Sequence, residues 1–407
     1  MNSFDTPWFQ QQDRSFFNTL NKSSKTHILL TAETADFAEE VTQQWKDEGF
    51  NVVYVPLEGS GSAAQYVARV KQEGEALGVS EQYAVVAFGD AAALVLESHI
   101  KPQNPKCCAL IAYYPNAIPP PMTKYPGSIR VMIHLAGSEI GVRTTHEVLG
   151  IQSSKKKTVK KRIDPGAGNG GTLKLAAKAF TYDCESGFAE HDLEEFNAIA
   201  ERLAFSRSLA CVKRAFRLEE NLDTIRDEIS DLALDADENP KPLTARLHST
   251  SHSLFAPTLS GGAGASAITA FYQTHYFLPR GAKTQLLSRT LDASRCVDEL
   301  YISLTHSCEI PWLLPNIPAT NRKIEIAVVS IVCLRGGKLE SEHVYWDQGS
   351  VLMQAGLIDV KNVPEGMKKK GVKRLPVVGA EGARAARRGS TREFNSMVEK
   401  KGGEGKK

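Results

Sequence analysis

The sequence predicts a doubly wound α/β domain with a parallel sheet, followed by a smaller α+β domain shaped as a cone, and three observations carry that expectation. At 407 residues the chain exceeds the size at which one hydrophobic core stops growing. Its first half alternates short continuous apolar runs with amphipathic helical stretches, the pattern of parallel strands covered on both faces. Its second half sets one helical segment before consecutive runs rich in β-branched and aromatic residues.

Met1 to Gln12 is polar with no apolar core, and residues 1–24 read as an extension ahead of the first domain, 25–222. His27 to Leu30 is the first strand, followed by a helix with Phe37, Val41 and Trp45 on one stripe that stops at Gly49. Asn51 to Pro56 is a strand and Ala63 to Leu77 a helix. Tyr83 to Phe88 is a strand, Ala91 to Ser98 a helix, and Cys107 to Tyr113 and Ile129 to Leu135 are strands. From Gly150 to Gly171 the chain turns basic and glycine-rich, the composition of a surface insertion. A last strand near Ala179 to Tyr182 leads to a long helix whose stripe runs Leu193, Phe196, Ala200, Leu203, Leu209, Val212 and Phe216.

The acidic stretch Glu219 to Glu238, ending in Asn239-Pro240-Lys241-Pro242, reads as a helix tail running into a linker, 223–243. The second domain, 244–362, opens with a helix around Ser266 to Phe277. Strands follow at Leu286 to Leu291, Leu300 to His306, Ile324 to Leu334 and Leu339 to Trp346, with Gly336-Gly337 as a hairpin between the last two. Residues 363–407 are basic and poor in large apolar side chains, and read as a disordered tail.

The charge is balanced, 49 Lys and Arg against 47 Asp and Glu, so no global field draws in nucleic acid or an acidic membrane. The basic run Lys155, Lys156, Lys157, Lys160, Lys161, Arg162 lacks interleaved aromatics and reads as solvated. Seven cysteines without C-x-x-C spacing point to a reducing compartment and to no zinc site. No run is long enough to span a bilayer, and the expected location is cytoplasmic.

Tyr83 to Ala93 is a strand, a tight turn of small residues and a helix, the setting of a nucleophile elbow. Ala87 and Ala91 supply the small flanking residues, but the position between them is Gly89, which has no side chain to attack with. On these residues the stretch 25 to 220 resembles the dienelactone hydrolase family, carboxymethylenebutenolidases of the α/β-hydrolase fold. The resemblance implies a cysteine at the elbow, an acid in the setting His134-Leu135-Ala136-Gly137-Ser138-Glu139, and a histidine ahead of Gly187-Phe188. Glu139 stands at the acid's place. Ser186 stands at the histidine's, with His191 a turn further on. Without nucleophile and base the family mechanism fails. A slip of register by one residue would put Asp90 on the elbow as a carboxylate nucleophile; its other reading is a helix N-cap. Tyr113-Tyr114 follows the next strand at the rim where such sheets bind ligands.

In the second half, Glu340 to Gln348 concentrates ionisable groups where one face of a cone strand lines a cavity, a setting that moves a carboxylate's pKa toward neutrality. With Gln354, Gly356 and Leu357, and with Thr305-His306 and Trp312-Leu313-Leu314-Pro315 in the middle strands, residues 245 to 358 resemble SnoaL-like proteins of the nuclear-transport-factor-2-like superfamily. The whole chain is similar to proteins, common in fungi, that fuse the two domain types. The resemblance implies a small-molecule pocket, cofactor-free cyclase or isomerase chemistry, and a homodimer through the open face of the cone sheet. It points to Asp347 as the acid/base, with His306 and His343 as neighbours and Glu342 in the same run. The residues also carry plainer readings: Asp347 as an N-cap, His306 as a core histidine, His252 in a loop, Trp346 in the core. Glu342 and His343 point to opposite faces of one strand, so at most one enters the cavity. No cofactor, nucleic acid or membrane is expected. An atypical hydrolase using Asp90, and a binding or scaffolding protein without turnover, are the two other functions consistent with these residues.

Overall fold

The computed structural model describes residues 26–101, 104–148, 151–162, 174–218 and 220–389, with 394, 395 and 397. The chain divides into two compact units, Met1–Glu220 and Asn221–Lys407. The polar extension 1–24 lies outside the described residues.

The first unit runs β1 (Thr26–Thr31), α1 (Glu39–Asp47), β2 (Asn51–Tyr54), α2 (Ala63–Ala76), β3 (Gln82–Phe88), α3 (Gly89–Ser98), β4 (Cys107–Tyr113), β5 (Ala117–Ile118), β6 (Arg130–Ala136), β7 (Glu139–Val148), β8 (Ile151–Arg162), β9 (Lys178–Tyr182) and α4 (Ala198–Phe216). Six of these strands form a parallel sheet in the order β2-β1-β3-β4-β6-β9. The unbroken apolar strands take the centre because both faces there are covered: every residue of β4 is buried. Helix starts follow local chemistry. Ser62 caps α2 by accepting from the Gln65 N–H at 3.3 Å, and Asn197 caps α4 by accepting from Ile199 and Ala200 at 3.1 and 3.0 Å. Because α4 begins only at Ala198, Leu193 lies ahead of it and is exposed, as is Leu203; the expected Ala200, Leu209, Val212 and Phe216 are buried, joined by Ala204 and Phe205.

The basic run Lys155 to Arg162 lies in a strand, β8. β7 and β8 pair antiparallel from Glu139↔Arg162 to Val148↔Ile151, and β5 adds a third strand. The β-branched content of β7 favours an extended ribbon, and Ile140 and Val142 anchor it in the core.

The second unit runs α5 (Leu222–Leu234), α6 (Lys241–Ala245), β10 (Leu247–Phe255), β11 (Ser260–Ala263), α7 (Ala265–Thr274), β12 (Lys283–Leu291), β13 (Arg295–Thr305), β14 (Lys323–Arg335), β15 (Lys338–Trp346), α8 (Gln348–Ala355), α9 (Glu365–Lys368) and α10 (Ala380–Arg388). Its sheet is ordered β11-β10-β15-β14-β13-β12, antiparallel except for β10 beside β15. β10 places His252 in a strand rather than a loop.

The acidic stretch expected as a helix tail and linker is a separate helix: Asn221 caps α5 by accepting from the Thr224 N–H at 3.2 Å, and Leu222, Arg226, Ile229 and Ala233 form its buried face. An arginine in the middle of that stripe breaks the apolar period, and four exposed acids, Asp223, Asp227, Glu228 and Asp231, cover the outer face. The expected disordered tail is folded as far as Gly389. The Gly379 N–H donates to Ser350 Oγ at 2.9 Å, Ala383 is buried, Arg384 pairs with Glu325, and Arg387 lies 4.6 Å over the Tyr301 ring. Charge and one small side chain hold α10 down, a signal that hydropathy does not carry.

Among the described residues no helix is long and apolar enough to cross a membrane, and no three His, Cys, Asp or Glu side chains gather as metal ligands.

Candidate functional site

A cavity of about 230 Å³ lies in the second unit between α5, α7 and the inner face of the sheet. Phe255, Tyr276, Leu300, Ile302, Trp312 and Val328 give it an apolar wall. Strand parity builds its floor: Asp298, Leu300 and Ile302 alternate on β13, Val328 and Ser330 on β14, and Glu342 and Val344 on β15. Asp298 faces Ser330 across the ladder, and Ser330 faces Val344, which leaves Glu342 on the diagonal.

The polar end is a closed network. Arg226 Nε donates to Asp298 Oδ2 at 3.0 Å, and its Nη2 donates to Glu342 Oε1 at 3.1 Å and Ser330 Oγ at 3.2 Å. Ser330 Oγ donates to the same Glu342 Oε1 at 3.0 Å, while the Tyr272 hydroxyl donates to Oε2. Arg289 forks onto Asp298, with Nε to Oδ1 at 2.6 Å and Nη2 to Oδ2 at 3.1 Å, and its Nη1 reaches Asp223 and Asp227 on α5. Arg226, Asp298, Ser330 and Glu342 are all buried.

Burial by itself would raise the Asp298 carboxyl, but the hydrogen bond from Arg289 and the charge of Arg226 outweigh it and hold the group below the usual carboxylate range. Burial, then the neighbouring Glu342 carboxylate, pushes the Tyr272 hydroxyl far up, so it stays a donor at all ordinary pH. The same two causes bring Tyr276 to about 12.

Of the residues expected to carry chemistry in this half, Glu342 is in the cavity and three are not. Asp347 caps α8, accepting from the Ser350 N–H at 3.2 Å and Ser350 Oγ at 2.5 Å. His343 points to the other face, its Nε2 2.9 Å from His252 Nε2. His306 follows β13, fully buried, with Nδ1 3.0 Å from Thr320 Oγ1, and burial lowers its pKa. The cavity's other polar members escaped the sequence. Asp298 was findable, as an acid at the inward parity of an otherwise apolar strand. Arg226 was findable as the residue four after Leu222 and three before Ile229.

In the first unit the turn between β3 and α3 is sharp, with Gly89 at φ +53°. A Cβ there would collide with Glu33 Oε1, which also accepts the Asp90 N–H at 2.6 Å. Asp90 is neither nucleophile on the turn nor N-cap. It sits inside the first turn of α3, exposed, with Oδ1 accepting from Asn116 Nδ2. Glu139 opens β7, exposed, 3.5 Å from Lys160. Ser186 is exposed, and His191 stacks against Phe196 with ring centroids 4.2 Å apart. Among the described residues, Asp90, Glu139 and His191 have these separate partners, and they and Ser186 are not hydrogen-bonded to one another. The tyrosines after β4 are packed: Tyr113 bonds Ser208 at 2.8 Å, and Tyr114, at φ +33°, donates to Glu190 at 2.5 Å. His134 is enclosed between Tyr182 and Ser208, and burial, with Arg207 nearby, takes it down to about 3.

The two units are therefore a parallel-sheet α/β domain and an α+β domain that encloses a polar-ended cavity. No family model matches the chain, and no curated protein matches it. Solved structures similar to it include TsrD from Streptomyces laurentii, 16% identical over 33% of this chain and 97% of that one, TM-score 0.27. A putative SnoaL-like polyketide cyclase from Jannaschia is 13% identical over 35% and 98%, TM-score 0.28. A protein with a ketosteroid isomerase-like fold from Catenulispora acidiphila is 16% identical over 32% and 94%, TM-score 0.25. At such TM-scores the likeness decides nothing about activity.

Proposed function

We propose that the second unit is a cofactor-free acid-base enzyme of small-molecule metabolism, acting on a small, largely apolar ring compound with Glu342 as proton acceptor. The observation that carries this reading is the ionised cluster at one end of an otherwise apolar cavity. Arg226 and Ser330 fix Glu342 Oε1, which leaves Oε2, shared only with the Tyr272 hydroxyl, as the atom that meets substrate. A proton on carbon beside a carbonyl passes to that oxygen, and the C–H electron pair moves onto the carbonyl oxygen as an enolate. Tyr276 lines the same cavity, and its hydroxyl supplies a hydrogen bond to that oxygen. Return of the proton to a different carbon is an isomerisation; attack of the enolate on a second carbonyl of the same molecule is a ring closure.

For the first unit we propose a degenerate member of the α/β-hydrolase class. The parallel strand order and the positive-φ turn ahead of α3 support it, and Gly89 at that turn leaves it without a nucleophile. Hydrolysis through Asp90 is disfavoured by the carboxylate's position off the turn and its engagement by Asn116.

A second reading, binding without turnover, is favoured by one observation: both oxygens of Glu342 already accept hydrogen bonds within the protein. One experiment separates the two. The full chain is incubated in D2O with 2-tetralone, a two-ring ketone with acidic C–H groups, and deuterium uptake is followed by mass spectrometry beside Glu342→Gln. Loss of a general base typically costs about 10²–10⁴-fold, so uptake should collapse in the variant while affinity changes little. Binding by both proteins with no uptake above buffer by either establishes the second reading, and absence of binding sinks both.

A further inference from the structure

The ionisable groups of the cavity answer one another. Arg226 is shared between Asp298 and Glu342. Arg289 holds both oxygens of Asp298 and, at the rim, Asp223 and Asp227. The buried cluster thus sets two cations against two carboxylates, and Asp227, which also reaches the lining, is exposed and already paired with Arg289. Beyond the network the wall is mostly apolar, with Ser230 and Thr284 as its further polar side chains.

A charged ligand entering such a space meets no unpaired counter-charge. It must break one of the internal pairs, which leaves another buried ion uncompensated, or lie unpaired against Leu300, Ile302 and Val328. Two lining hydroxyls are left over, that of Thr284, which is exposed, and that of Tyr276, which is half-buried. The Tyr276 hydroxyl makes no hydrogen bond among the described residues, and Tyr276 lines the same cavity as Glu342 and Arg226. Size sets the other limit. A dry cavity of about 150 Å³ takes benzene, so about 230 Å³ admits one or two fused rings.

Resting on the assignment of this cavity as the ligand site, we infer that it takes an electrically neutral compound of one or two rings, hydrogen-bonded at one end to Tyr276, and rejects carboxylates and amines of the same shape. Arg226 and Arg289 are then positioning residues that hold the wall's own acids, and are not anchors for an anionic ligand, the role that two arginines in a pocket would first suggest.

The test is equilibrium dialysis of the full chain against four probes of one shape: naphthalene, 2-naphthol, 2-naphthoate and 2-naphthylmethylammonium. The neutral pair should bind, 2-naphthol the tighter, with each ion at least tenfold weaker than 2-naphthol. Tyr276→Phe, checked for an unchanged melting midpoint, should reduce 2-naphthol affinity about tenfold and leave naphthalene as before. Tight binding of either ion overturns the neutrality inference while the cavity remains a ligand site. An unchanged 2-naphthol affinity in Tyr276→Phe overturns the assigned hydrogen bond. If no probe binds, the ligand-site assignment itself falls.

Discussion

Arg226 and Glu342 meet at 3.1 Å although 116 positions separate them, one on a helix that composition disguises as a linker and the other in the last strand of the sheet. The contact ties α5 to the cone and also orients the proposed proton acceptor. Removing one member of a buried pair leaves the other charged and unpaired, so Arg226→Ala should destabilise the second unit by about 3–5 kcal/mol. Arg226→Met combined with Glu342→Gln should cost clearly less than the sum of the single changes. Urea denaturation followed by tryptophan fluorescence measures this, and strict additivity would show that the two side chains do not act as a pair.

How much of this was legible in the sequence depends on what kind of interaction holds each element. The parallel sheet was readable because Tyr83 to Phe88 of β3 and the whole of β4 are buried on both faces and apolar without a break. The cone strands were readable from β-branched runs. α5 and α10 were not, because their contacts are ionic: Arg226 with Asp298 and Glu342, and Arg384 with Glu325. The site divides the same way. Glu342 was visible as an acid in a strand with polar neighbours, yet so was Asp347, and only the end of β15 distinguishes a cavity acid from a helix cap. Asp298, Tyr272 and Arg226 come from three elements whose convergence no local pattern encodes.

Acid should act on the second unit through Glu325. Burial would raise this carboxyl, but hydrogen bonds from Lys323 and Arg384 bring it to about 2. A carboxyl depressed from about 4.3 contributes stability that is fully present above the unfolded value and is lost as pH falls from there toward about 2. Asp298, also held low, acts in the same direction. Arg384→Ala removes one of the donors, so acid unfolding should begin at higher pH than in the wild type. Near-ultraviolet circular dichroism across pH 2 to 6 follows it, and coincident curves would count against the Arg384 contact.

At the turn of the first unit, Gly89 and Glu33 should be energetically coupled. A residue with a Cβ at φ +53° costs about 1–2 kcal/mol in the left-handed region, and here the Glu33 carboxylate lies in the way as well. Gly89→Ala should therefore cost more in the wild type than in Glu33→Ala, by about 0.5 kcal/mol or more. Equal costs in the two backgrounds, read from thermal unfolding, would mean that Glu33 swings away freely.

The outer face of the cone sheet is where the resemblance placed a homodimer, and part of it is covered by the chain itself. Tyr301 and Glu325 lie under α10, beneath Arg387 and Arg384, and Tyr301 is buried. On the same face, by strand parity, Val297, Val329 and Tyr345 remain exposed. Three apolar side chains are an ordinary surface, but uncovering the Tyr301 ring, one step along the face from the Val329–Tyr345 pair, enlarges them into a patch of the kind that recruits a partner. The full chain should then run as a monomer of 44.5 kDa in light scattering, and a chain ending at Val378 should self-associate in a concentration-dependent way. A dimeric full chain would place the interface elsewhere. A truncated chain that stays monomeric and folded would mean that α10 covers the sheet without guarding it, because Arg387 and Arg384 could then be replaced by water at no cost in association.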